Sequence, residues 1–193
     1  MLAAVLLIAV GAAGGYLYQN SRLPGDNSAD AGFARDMSVH HAQAVEMGMY
    51  AFQISKDSEI QILGYDIATT QQYQIGEMNV WLQDWGLSST PSKGRMSWMT
   101  EGTKALQSNG LMPGMATTDQ LTKLKSLSGK DFDIMFCQLM LRHHLGGVHM
   151  AEEALQLVKT KEVKTLAQQI QQSQQLEITT LTAKLKSLGA QPL

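Results

Sequence analysis

Two pairs of adjacent histidines, His40-His41 and His143-His144, are the residues of this chain best equipped for chemistry. A methionine stands three residues before each pair (Met37, Met140) and another six residues after it (Met47, Met150). Imidazole suits Cu, Zn, Fe and Ni, whereas a thioether selects soft cations such as Cu(I), and by analogy Ag(I). A surface carrying both points to monovalent copper more than to zinc. The spacing decides whether the side chains share such a surface. On a helix turning about 100° per residue, with Met37 at zero, His41 lies near +40°, His40 near −60°, Ala44 near −20° and Met47 near −80°. All fall on one face, and the same holds for Met140, His143, His144, Gly147 and Met150. Asp30 and Asp133 lie on the same stripe, where they begin their helices or reach the histidines. His149 falls opposite and reads as solvated.

The elements that must position these residues are written twice. Asp30-x-x-Phe33-x-x-x-Met37-x-x-His40-His41-x-x-Ala44-x-x-Met47 returns, at one constant offset, as Asp133-x-x-Phe136-x-x-x-Met140-x-x-His143-His144-x-x-Gly147-x-x-Met150. A weaker echo, Gln74-x-x-Glu77 and Gln174-x-x-Glu177, follows each copy. Apolar residues recur at threes and fours over 31–54, 60–85, 132–158 and 163–188, and no stretch alternates long enough for a sheet. This predicts an all-α fold over 30–190: a four-helix bundle of two hairpins, 30–86 and 131–190, with a connector at 87–130. Asp57 or Ser58 is the expected N-cap of the second helix. Thr118-Asp119-Gln120 opens a short helix within the connector that runs to Leu127, with Gly129 as its stop. Because rise per residue is equal in both directions, an antiparallel hairpin brings Gln74 and Glu77 level with His40 and His41. Gln174 and Glu177 come level with His143 and His144 in the same way. Each half then gathers its own Met, His, Gln and Glu, the last two orienting imidazoles or binding metal themselves.

The connector adds Met96-x-x-Met99 and Met112-Pro113-Gly114-Met115, thioether pairs that wrap a soft ion or cap the bundle. Met37, Met47, Met140 and Met150 taken singly read equally well as gap-filling core residues. Cys137 reads as a buried hydrophobe or a Cu(I) thiolate. Trp81, Trp85 and Trp98 read as bundle-end packing or a docking surface.

Composition excludes more than it selects. With a net charge of −2, nothing electrostatic favours a nucleic-acid partner. One cysteine rules out an intramolecular disulfide and any multi-cysteine zinc or iron–sulfur site. No G-x-S-x-G and no phosphate-binding glycine loop is present. Residues 1–18 carry no charge, and a helix of that length reaches roughly 27 Å, just enough to cross a bilayer. The segment 1–20 is read as a membrane anchor, or a cleaved secretion signal, followed by a linker at 21–29. Either way the domain faces the periplasm or the cell exterior.

The doubled His-His motif, the Met112-Pro113-Gly114-Met115 run before its second copy and the Gln-x-x-Glu after each copy resemble domain-of-unknown-function family 305. The resemblance spans about residues 30–188. It implies a ferritin-like four-helix bundle and an extracytoplasmic copper role, with Met37, His40, His41, Met47, Met140, His143, His144 and Met150 as motif positions. Family members often carry a histidine just before MPGM, where this chain has Asn109-Gly110-Leu111, and an alanine where it has Gly147.

Three functions follow as expectations. The first is a membrane-tethered binder of Cu(I), or silver, that buffers or traffics the ion, with no enzymatic activity. Its partners are the metal ion, the membrane and a copper-handling or membrane protein. The second is an accessory or structural subunit whose histidines only specify the core. The third, a di-iron oxidoreductase, is weakened because no Glu-x-x-His occurs anywhere in the chain.

Overall fold

The computed structural model describes residues 23–193, and the segment read as an anchor or signal lies outside the described residues. Among the described residues there are five α-helices and no strand: α1 (Ala29–Ile54), α2 (Ser58–Asp84), α3 (Thr118–Ser126), α4 (Gly129–Leu157) and α5 (Lys161–Ser187). A 3-10 turn at Gly102–Ala105 interrupts the connector. None of these helices is long and apolar enough to cross a membrane.

Local chemistry explains the boundaries. Ser28 opens α1 by accepting from the Ala31 amide at 3.1 Å. Asp57 opens α2 by accepting from the Glu59 and Ile60 amides at 3.0 and 3.3 Å. A reciprocal capping box between Thr117 and Gln120 opens α3. Gly129 does not stop α3, which ends at Ser126 with Leu127 as its C-cap. It is instead the first residue of α4, with φ of 56°. The left-handed backbone there turns the chain straight from one helix into the next, with only Leu127 and Ser128 between them.

At the offset that separates His40 from His143, 103 positions, the end of α1 matches that of α4, and both ends of α2 match those of α5. Helices α2 and α5 are each 27 residues long. Both close on a left-handed glycine, Gly86 (φ 68°) and Gly189 (φ 71°). Beyond each glycine an amide returns to the last turn, Leu87 to the Leu82 carbonyl at 2.8 Å and Ala190 to Leu185 at 2.9 Å. One offset through both helices corrects the weaker sequence echo. Gln74 corresponds to Glu177 and Gln71 to Gln174, so the two Gln-x-x-Glu runs, matched 100 positions apart, are out of register.

Helix α1 packs on α2, α4 on α5, and the hairpins meet where α1 crosses α4. The α1–α2 contact is close enough that a Cβ on Gly48 would lie 2.5 Å from the Gly64 carbonyl, and one on Gly64 would lie 2.6 Å from the Gly48 carbonyl. Grooves between α2 and α5 join Glu59, Ile60 and Leu63 to Thr179, Thr180 and Ala183 at one level. At the other they join Trp81 to Lys161 and Leu166. The two helices therefore run antiparallel. The repeated aspartates tie the hairpins together. Asp30 accepts from the Lys159 and Thr160 amides at 3.1 and 2.8 Å and from the Thr160 hydroxyl at 2.8 Å. Asp133 accepts from the Ser55 hydroxyl at 2.6 Å. Each aspartate thus latches the turn of the other hairpin.

Candidate metal centre

The four paired histidines meet in one layer at the α1–α4 crossing. All four are wholly buried, at 0 % exposure. The His40 and His143 rings lie 3.8 Å apart between centroids with 32° between planes, and His143 and His144 are 6.1 Å apart. Each ring makes one hydrogen bond through Nε2, and every partner is an oxygen that can only accept. His40 donates to the Pro113 carbonyl at 3.0 Å and His143 to the His40 carbonyl at 3.0 Å. His41 donates to Gln74 Oε1 at 2.8 Å and His144 to Glu177 Oε2 at 2.5 Å. With the proton held on Nε2, a neutral ring keeps its lone pair on Nδ1. All four Nδ1 atoms are buried without a partner.

Burial keeps the His40, His41 and His143 rings neutral. Loss of hydration drives the His40 imidazole down to about 4, against a modest opposing pull from the Pro113 carbonyl. His41 is driven down to about 3, first by burial and then by His40. His143 falls well below the ordinary histidine range, by burial first and then by the charge that His40, His144 and His41 would carry. Neutral imidazoles with an orphaned nitrogen, each oriented by an oxygen behind it, are what a metal-ligating histidine presents.

Thioethers flank the histidine layer on both sides. Met37 and Met150 belong to one core cluster, which also holds Met78, Met96, Met99, Met112 and Met115. Met47 and Met140 belong to the other cluster. Each side therefore draws one motif methionine from each copy. The expected arrangement, a separate nest inside each hairpin, gives way to one histidine layer to which both hairpins contribute, because α1 and α4 cross at the motif and run in opposite directions. Among the described residues no three His, Cys, Asp or Glu side chains converge closely enough to hold one ion. Imidazoles in company with thioethers are the donor sets this core offers, and they suit a soft cation.

The Met112–Met115 run walls the layer. A Cβ on Gly146 would lie 2.0 Å from the Pro113 carbonyl, and one on Gly114 would lie 2.3 Å from the Arg142 carbonyl. Glycine at both positions lets the loop's backbone lie directly on α4. Gln43 clamps the loop from α1, accepting from the Ala116 amide at 2.7 Å and donating to its carbonyl at 2.9 Å. Gln107 donates to the Met112 and Met115 carbonyls at 2.7 and 3.1 Å.

Several sequence-predicted residues lie elsewhere. Asp30 and Asp133 are bound up in the hairpin turns, not with the histidines, because they sit about 15 Å along the helix from them. Glu77 faces the α2–α5 groove beside Trp81 and does not contact a histidine, as the corrected register requires. Gln174 is buried against Gly147, whose missing side chain leaves the amide room. His149 is exposed. Burial pushes the Cys137 thiol up to about 12, so it stays protonated. Trp98 meets Phe33 edge-on at 5.8 Å and donates to Asp36, while Trp81 stacks on Trp85 at 6.3 Å. These contacts are end packing. Sequence reasoning missed the Pro113 carbonyl and Gly146. Only Gly146 left a trace, as a second glycine beside Gly147.

Fold and site together define a class: internally duplicated helical hairpins with a buried imidazole layer between thioether layers. The family model for DUF305, a domain of unknown function, matches residues 30–185, and the chain belongs to that family. Among solved structures it is similar to a DUF305 protein from Streptomyces coelicolor assigned as secreted. The two are 42% identical, with 88% of this chain and 99% of that one covered and a TM-score of 0.81. A DUF305 fragment from Deinococcus radiodurans is 28% identical, covering 83% of this chain and 95% of that one, with a TM-score of 0.65. CopM in its Cu(I)-bound form is 25% identical, covering 82% of this chain and 96% of that one, with a TM-score of 0.63. CopM is also known in Cu(II)-bound and Ag-bound forms. No curated protein matches.

Proposed function

We propose that this protein is an extracytoplasmic binder of monovalent copper, and of silver as its chemical mimic, that buffers or traffics the ion without catalysing a reaction. The observation carrying this reading is the set of four buried, unpartnered Nδ1 atoms. An unsatisfied polar atom in a core costs about 1–3 kcal/mol, and four in one layer find a common purpose in cation binding. Thioethers on either side make that cation a soft one. The CopM forms with Cu(I), Cu(II) and Ag, on the same fold, support copper as cargo. The secreted assignment of the Streptomyces relative supports an extracytoplasmic site of action, and residues 1–20 would supply the anchor or signal. We read the paired hairpins as a ferritin-like four-helix bundle, a reading supported by the antiparallel α2–α5 grooves.

The test is titration of the reduced full-length chain with Cu(I) against a competing chelator. The comparison is a variant with His40→Ala, His41→Ala, His143→Ala and His144→Ala. Wild-type protein should withdraw copper from the chelator and the variant should not. Equal retention by both ends the proposal.

A further inference from the structure

The repeat is nearly perfect at the site, and its one exchange of charge is informative. At the structural offset His40 matches His143 and His41 matches His144, but the residue behind the second histidine differs. His41 Nε2 donates to the neutral amide oxygen of Gln74. His144 Nε2 donates to the carboxylate of Glu177. The other two rings rest on backbone carbonyls. Among the four imidazoles, only His144 has an anionic partner. Glu177 itself is largely covered, with 22 % of its side chain exposed against 0 % for His144. Water screening of the pair is correspondingly reduced.

We propose that Glu177 is a positioning residue that makes the duplicated site unequal, so that the half containing His144 takes the soft cation first and more tightly. This inference rests on the soft-cation reading above. A carboxylate accepting the Nε2 proton draws it away from the ring and raises electron density at Nδ1, the nitrogen left to bind metal. An amide oxygen orients the ring equally well but lends no net charge. Both rings hold the same tautomer, both Nδ1 atoms are unpartnered, and both sit on matching turns of matching helices. The oxygen behind the ring is the difference between them. Gly147 in place of Ala44 acts in the same half. It lets the Gln174 amide lie against α4, where a Cβ would come within 2.3 Å of Oε1, without displacing Glu177 from His144.

The experiment compares wild type, Glu177→Gln and Gln74→Glu as full-length chains, with Cu(I) alone as probe in chelator competition. Glu177→Gln should weaken the first binding event by about 10–100-fold and leave the second in place. Gln74→Glu should strengthen the second event and leave the first. A metal-free readout accompanies these: in 15N spectra, Glu177→Gln should move the His144 ring signals toward those of His41 while the Nε2–H tautomer persists. Far-UV circular dichroism confirms that each variant is folded, and the two reciprocal variants guard against a loss caused by misfolding. Unchanged affinities in both variants, or a His144 ring protonated on both nitrogens at neutral pH, overturn this inference alone. A wild-type chain that takes no Cu(I) overturns the preceding reading together with it.

Discussion

Each of the four buried imidazoles commits its Nε2–H to an oxygen and leaves Nδ1 bare, and that shared polarity has a thermodynamic consequence. His40 and His41 are held neutral down to about pH 4 and 3, whereas in the unfolded chain they take up a proton near 6.5. Below the unfolded value the unfolded chain binds more protons, so it gains on the native state as pH falls. Stability is therefore complete above about pH 6.5 and is lost progressively as pH drops toward the folded values. His40 alone accounts for a loss on the order of 3 kcal/mol across that window. The unfolding midpoint of the metal-free protein, followed by circular dichroism between pH 7.5 and 4.5, should fall steadily. A flat midpoint would show that the rings are hydrated or already charged.

At the scale of elements, backbone contact rather than side-chain chemistry sets the geometry. Gly146 lets the Met112–Met115 loop touch α4, and through it the Pro113 carbonyl reaches His40. Gly146→Ala should lower stability by about 1–3 kcal/mol, since the new methyl has nowhere to go. It should also weaken metal binding by moving the loop. Gly76, in the interior of α2 with nothing within 4 Å of a built Cβ, is the control. Gly76→Ala should raise stability by about 0.5–1 kcal/mol and leave binding unchanged. Thermal melts of the two variants, with and without Cu(I), check both. Helix existence was legible because apolar spacing and caps such as Asp57 are local signals. The register of the second helices was not, since Gln74-x-x-Glu77 and Gln174-x-x-Glu177 look alike in sequence while only the hairpin turns decide which residues pair. Asp30 and Asp133 misled for a related reason: sharing a face with the histidines says nothing about a separation of about 15 Å along the axis.

For the whole molecule, a cation seated between α1 and α4 would join the two hairpins at their crossing. Ligand that binds only the native state stabilises it by mass action, about 2.7 kcal/mol at a free concentration 100 times Kd. Cu(I) should therefore raise the unfolding midpoint by roughly 5–10 °C, and a chelator should reverse the shift. A midpoint that ignores metal would separate the imidazole layer from any ion.

Residue order alone determined the duplicated helical hairpins, the inward turn of the paired histidines and the soft character of the donors around them. Helical periodicity is a property of neighbours three and four apart, and donor softness is a property of the residue type. Tertiary structure alone decided that both histidine pairs share one layer, that thioethers from opposite copies flank it, and that a carboxylate backs only His144. Those facts depend on how two helices cross and on which turn of a partner helix comes level, and contacts between residues 33 or 103 positions apart leave no periodic mark in the chain.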